Sequence, residues 1–153
     1  MLELVSKPSE GLAKWLNAMW IDYRASMIEA GIGPEQADEN IRGHQQRLFV
    51  DGVAVESQRF YDIVDAGRSV GTVWISGPQA SDPGTWFIYD IVIDEDQRGK
   101  GYGRRAMQSC ETLVRDEGGT RLALNVFGPN AVARHLYESL GFVEMAISMF
   151  KNV

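Results

Sequence analysis

The sequence predicts an α/β fold, a mixed sheet flanked by helices, and three observations carry the prediction. The first is the run Thr85 to Ile93, which alternates Trp86, Ile88, Asp90 and Val92 with Phe87, Tyr89, Ile91 and Ile93. Both faces are mostly apolar, the mark of a central strand covered on both sides. The second is a glycine-rich stretch directly after that run, leading into a segment over 104–117 with Met107, Cys110, Leu113 and Val114 at helical spacing. The third is the order of periodicities along the chain: strand, two helices, three strands, helix, strand, helix, strand. That order places helices on both faces of one sheet.

In chain order, Leu2-Glu3-Leu4-Val5 alternates as a short first strand. Pro8 and Ser9 mark a helix start, Leu12, Trp15, Leu16, Met19 and Tyr23 form its apolar stripe, and Gly31 stops it. Pro34 opens a second helix, striped by Ala37, Ile41, His44 and Leu48, that ends near Asp51-Gly52. Residues 56–64 and 69–76 read as strands joined by Asp65-Ala66-Gly67-Arg68, hence a hairpin. Residues 77–84 are a loop rich in Gly and Pro. After the central strand and the third helix, Gly118-Gly119 gives a stop and 120–127 the next strand, with Leu122, Leu124 and Val126 alternating. Asn130 is a natural N-cap for a last helix carrying Leu136, Tyr137 and Leu140, and Phe142 to Lys151 reads as a final strand.

Length and composition narrow the function. A chain of 153 residues with 44% apolar content is expected to form one domain, residues 1–153, with a real core. No run has the length of a membrane span, and the acidic start Met1 to Val5 does not read as a signal peptide. One cysteine allows neither an internal disulfide nor a cysteine-based zinc site, and two distant histidines make no metal case. A cytoplasmic protein without a metal is the expectation. A net charge of −6 argues against a nucleic-acid partner, and no membrane partner is expected.

Against that acidic background the stretch Gln97 to Ala106 is basic, with Arg98, Lys100, Arg104 and Arg105 around Gly99, Gly101 and Gly103. Glycines at the junction of a strand and a helix N-terminus suit a pyrophosphate held by backbone N–H groups, with basic side chains reaching outlying phosphates. Three motifs compete, beside a plain strand-to-helix turn. A Walker loop is absent. The dinucleotide fingerprint is met by Gly101-Tyr102-Gly103-Arg104-Arg105-Ala106, but that unit should open its fold and be followed by an acid ending the next strand. Here more than half the chain precedes it, and Thr120 to Phe127 holds no acid.

The third motif, Arg98-x-x-Gly101-x-Gly103, resembles the acetyl-coenzyme A signature of the GNAT superfamily of N-acetyltransferases. The stretch Asn130 to Phe142 is similar to that superfamily's second motif, Asn-x-x-Ala-x-x-x-Tyr-x-x-x-Gly-Phe, at every named position. The resemblance covers roughly residues 85–143 and thins toward the N-terminus. It implies a mixed, mostly antiparallel sheet of six to seven strands, splayed between the fourth and fifth, with about four helices. It implies acetyl transfer from acetyl-CoA, a co-substrate, to a primary amine of a small molecule or peptide by direct attack in a ternary complex. A coenzyme A-binding sensor that has lost catalysis is the alternative, and a homodimer is left open.

By the same resemblance, backbone N–H groups of Gly99, Lys100, Gly101, Tyr102, Gly103 and Arg104, with Arg98 beside them, hold the pyrophosphate. Ile91, Val92 and Ile93 pair with the pantetheine like an added strand, which requires the neighbouring strand to splay away. Asn125 and Asn130 are further cofactor contacts. Tyr137 is the candidate general acid, since a phenol stays protonated at neutral pH and can donate to a thiolate, with plain helix packing as the alternative. Asp90 is the candidate general base, its pKa raised by burial, or else a residue that orients a cationic substrate while water takes the proton. Trp15, Trp20, Tyr23, Phe60 and Tyr61 are open to two readings, pocket wall or core. Cys110 reads as a core thiol, His44 as a helix-face histidine, and His135 falls where the second motif specifies nothing.

Overall fold

The computed structural model describes residues 2–153. Its elements are β1 (Glu3–Ser6), α1 (Leu12–Glu29), α2 (Pro34–Leu48), β2 (Phe49–Val50), β3 (Val53–Ala54), β4 (Gln58–Asp65), β5 (Arg68–Ser76), β6 (Thr85–Ile93), a 3-10 turn (Glu95–Gln97), α3 (Tyr102–Asp116), β7 (Arg121–Leu124) and α4 (Ala131–Ser139). The main sheet runs β1-β4-β5-β6-β7, antiparallel except for the parallel pair β6 and β7. β2 and β3 form a separate small hairpin.

Local signals set the boundaries. Ala66 and Gly67, both at positive φ, make the tight turn between β4 and β5 whose twist matches that of the strands. Pro34 sits at the first turn of α2, where its missing N–H costs nothing. The Asn130 side chain accepts from the Ala133 N–H at 3.2 Å and so caps α4.

The sheet separates two cores. On one face Ile63, Val73, Ile75, Trp86 and Ile88 pack against Ala106, Met107, Cys110 and Val114 of α3, all 4% exposed or less. On the other, Phe60 and Trp74 meet Met19 of α1 and Leu48 of α2. Cys110 is fully buried, and that burial pushes its thiol up to about 12, with Glu111 adding to the shift.

Two expectations are corrected. The strand over 120–127 ends at Leu124, because β6 and β7 pair only from Thr85↔Arg121 to Ile88↔Leu124 and then part. The final strand over 142–151 does not form, and the main sheet has five strands rather than six or seven. The alternation that predicts it is real, but Val143, Met145, Ile147 and Met149 are 71–90% exposed. A strand is held by packing against its neighbours, and within this chain these side chains meet no layer.

Candidate active site

The glycine loop is built by conformation rather than by crowding. Gly99 and Gly101 stand at φ +74 and +81, and a Cβ at either would meet nothing within 4 Å. The left-handed backbone is the reason for glycine, since a side chain there costs about 1–2 kcal/mol. Gly101 caps α3 without a side chain. The N–H groups of Tyr102, Gly103 and Arg104 therefore open the helix without intrahelical partners, an arrangement suited to an anion. Gly103 is small for a different reason, because a Cβ would stand 3.3 Å from Leu136 of α4.

The basic side chains are more committed than their spacing suggests. Arg98 Nε donates to the Ile93 carbonyl at 3.0 Å, and Lys100 Nζ to the Asp96 carbonyl at 2.8 Å and Gln97 Oε1 at 3.1 Å. Arg104 donates to Ser139 Oγ on α4. Arg105 pairs with Asp65 at 3.0 Å, and the Tyr102 hydroxyl donates to the same carboxylate at 2.9 Å. These two partners hold Asp65 below its usual range. Four cations without a local acid thus become a loop laced to its surroundings. The surface that remains for a phosphate is chiefly backbone.

A single extra residue in β6 organises the reacting end. β5 pairs Trp74 with Asp90 and Ile75 with Ile88, so Tyr89 is unmatched and the register shifts between Trp74 and Ile75. This is a β-bulge, which re-aims side chains. Before it, Trp86 and Ile88 face the α3 core; after it, Ile91 and Ile93 do. The parity has flipped, and Tyr89 packs toward α1 and α2, its ring 4.8 Å from that of Trp74. Asp90 therefore does not continue the Trp86–Ile88 row, as strict alternation predicts. Burial raises its pKa to about 6, the Asp22 carboxylate of α1 adds to the shift, and the Ile91 N–H opposes it.

Beyond Ile88 and Leu124 the strands diverge, and Tyr89 to Ile93 have no strand partner on the β7 side. The Ile93 carbonyl is already taken by Arg98. Tyr137, on α4, lies within electrostatic reach of Asp90. Burial raises its pKa first and the Asp90 carboxylate raises it further, so the phenol keeps its proton at neutral pH. Its position is set by the helix end. Gly141, at φ +90, lets its N–H reach the Glu138 carbonyl and the Phe142 N–H reach the Tyr137 carbonyl, both at 3.0 Å. This is a Schellman motif with its usual apolar contact, here the Tyr137 and Phe142 rings 5.7 Å apart. The Tyr-x-x-x-Gly-Phe spacing has a physical meaning: it locks the tyrosine.

On the α1 and α2 side the wall is aromatic. Trp20 lies edge-on to Trp74 at 5.6 Å and stacks on His44, and Tyr23 meets His44 at 6.0 Å and Phe127 at 5.7 Å. Burial, then Arg47, holds the His44 pKa below its ordinary value, so the ring is neutral at pH 7. Trp15 packs on Phe60, which is buried in the core, while Tyr61 packs toward the α3 face. Phe60 thus packs as core beneath the aromatic layer, and Tyr61 packs on the opposite face of the sheet. Asp22, exposed on α1 but close enough to raise the Asp90 pKa, and Phe127, against Tyr23, lie on this side although neither belongs to a motif. Asp22 does carry a signal: it falls at helical spacing from Trp15 and Met19, an acid within the apolar stripe of α1. Asn125 is exposed just past β7, and the Asn130 oxygen is engaged in its cap. Among the described residues, no helix is long and apolar enough to cross a membrane, and no three His, Cys, Asp or Glu side chains cluster to hold a metal.

The chain is similar to known proteins in sequence and in fold. An N-acetyltransferase of Bacillus subtilis named YycN, described as uncharacterized, is 38% identical over 84 residues, which are 55% of this chain and 54% of that protein. The sequence match thus spans about half the length of that relative. A second from the same organism, YdgE, is 32% identical over 120 residues, 78% of this chain and 72% of the relative. The crystal structure of YycN, described as a putative acetyltransferase, superposes with a TM-score of 0.90 over 100% of this chain and 99% of that one, at 28% identity. A sequence model of the acetyltransferase (GNAT) family matches residues 12–142, which span the two N-terminal helices, the broken strand, the glycine loop and the locked tyrosine, and the chain belongs to that family.

Proposed function

We propose that the protein transfers an acetyl group from acetyl-CoA to a primary amine that carries a positive charge when it arrives, by direct attack in a ternary complex. The observation that carries the reading is the register break in β6. It turns Asp90 out of the α3 row to a position within electrostatic reach of both Asp22 and Tyr137.

Bound acetyl-CoA supplies an activated acyl group on a thiol leaving group. The chain's residues divide the remaining tasks. The N–H groups of residues 99–104 hold the pyrophosphate at the start of α3. The unpaired edge of β6 past Ile88 receives the extended arm of the cofactor as an added strand would be received. A backbone N–H near Ile91 or Val92 polarises the thioester carbonyl. Asp90, titrating near 6, is mostly ionised at pH 7 and takes the proton of the incoming ammonium, directly or through water. Tyr137 returns a proton to the departing thiolate. Asp22 draws the cationic acceptor in, and Trp20, Tyr23, Tyr89 and Phe127 take its apolar body, with cation–π contact of about 0.5–2 kcal/mol to the charge.

The test has two arms. Thermal unfolding is followed with acetyl-CoA, coenzyme A and NAD in parallel. A ligand of the folded state at a hundredfold excess over its dissociation constant adds about 2.7 kcal/mol, several degrees for this size of domain. Shifts with both coenzyme A forms and none with NAD are expected; no shift with either coenzyme A form at millimolar concentration refutes the cofactor. Thioester turnover is then measured over a panel of cationic amines with and without aromatic bodies. Binding without turnover across the panel, unchanged by Asp90→Asn, would favour the sensor.

A further inference from the structure

We propose that residues 143–151 form the outermost strand of the main sheet in a second copy of the chain, each copy's tail pairing with β7 of the other.

The edge needs a strand. β7 pairs only with β6, so its outer row of N–H and C=O groups faces no strand of this chain. Its core-facing side chains are also incompletely covered. Leu122 and Leu124 are half-buried, whereas Trp86 and Ile88, their partners in register on β6, are 1% and 3% exposed. The other edge, β1, is managed already: it is four residues long, ends against Lys7 and Pro8, and is tied to α3 through Ser109 donating to the Leu2 carbonyl.

The tail has the pattern of the missing strand and stands away from its own sheet. Val143, Met145, Ile147 and Met149 fall on one face at period two, yet all are strongly exposed. The Schellman turn fixes Phe142 against Tyr137, Arg134 pairs with Glu144 at 3.2 Å, and the chain then leaves. Its far end crosses the turn between α1 and α2, where the Phe150 ring lies so close over Gly31 that a Cβ there would be 2.2 Å from it. The segment between is an extended apolar arm with no surface of its own chain beneath it.

A second copy supplies that surface. One Val, Ile or Met side chain fully buried removes roughly 60–120 Å² from water. Four such side chains from each of two copies, with the surface they cover, remove roughly 1,000–2,000 Å², the range of a stable interface. The exchange is isologous, so it closes at two copies and does not propagate.

Light scattering on size-exclusion fractions over a concentration series is the test. A mass twice the 17.0 kDa of one chain is expected. Met145→Asp with Ile147→Asp should yield a monomer of unchanged far-UV circular dichroism, since both positions are exposed in the single chain. A monomeric wild-type protein, or a double variant that stays dimeric, overturns the proposal. Val126→Cys with Ser148→Cys, treated with a flexible bis-maleimide, identifies the partner; Cys110 is buried and does not compete. Linkage of the two new cysteines between chains supports exchange. Linkage within one chain shows the tail folding back on its own β7 and sinks the idea.

Discussion

Asp90 combines a catalytic expectation with an energetic cost. Its folded pKa of about 6 lies above the ordinary 3.8. Between those values the folded state keeps a proton that the unfolded chain has lost, so stability falls as pH rises through the window. Above it the buried charge is a standing penalty. Asp90→Asn should therefore stabilise the protein at pH 7 by about 1–3 kcal/mol, read from denaturant unfolding, while stability near pH 3 changes little. The same variant should lose most acetyl transfer and keep acetyl-CoA binding; equal loss of both would remove the catalytic role. In the wild type, turnover should rise with pH through about 6. Gly141→Ala acts on the partner residue. A side chain at φ +90 strains the turn by about 1–2 kcal/mol and releases Tyr137, so kcat should fall while the acetyl-CoA dissociation constant holds.

At the scale of elements, β6 shows both what a sequence displays and what it hides. Its bounds, 85–93, follow from apolar density alone and are those observed. Its bulge does not, because a strand buried on both faces has apolar residues at odd and even positions alike and a change of parity leaves no trace. The acid stood out for the opposite reason, as the one charge in the run. The bulge can be tested by removing it. Deleting Tyr89 restores regular alternation while Trp86, Ile88, Ile91 and Ile93 all keep the α3 face. The shortened protein should fold, destabilised by about 2–3 kcal/mol for a lost half-buried aromatic, with Asp90 still opposite Trp74, and the missing Tyr89 ring should raise KM for the amine while acetyl-CoA binding holds. A deletion variant with wild-type KM for the amine would mean the extra residue is incidental. The glycine loop and the α4 cap were legible because each rests on local backbone chemistry. The final strand was not, because alternation specifies a strand only where something lies beside it.

The whole molecule brings together what no local window can. Asp22, His44 and Tyr89 come from three separate elements and Phe127 from the loop after β7, and their meeting depends on how α1 and α2 lie across the sheet. Asp22→Asn should raise KM for cationic amines several-fold and leave kcat at saturating amine and acetyl-CoA affinity nearly unchanged; an equal effect on a neutral acceptor analogue would point to packing instead. The two cores lie on opposite faces of one sheet, and among the described residues the two clusters share no side chain. Energies of substitutions on opposite faces should then add, within a few tenths of a kcal/mol, when the sites share no contact. The layer that shapes the acceptor wall is thereby insulated from the layer that carries the glycine loop. Sequence drift among relatives can retune which amine is accepted while the donor side holds still, and Tyr89 and Asp90, where the two layers are joined, are where such freedom ends.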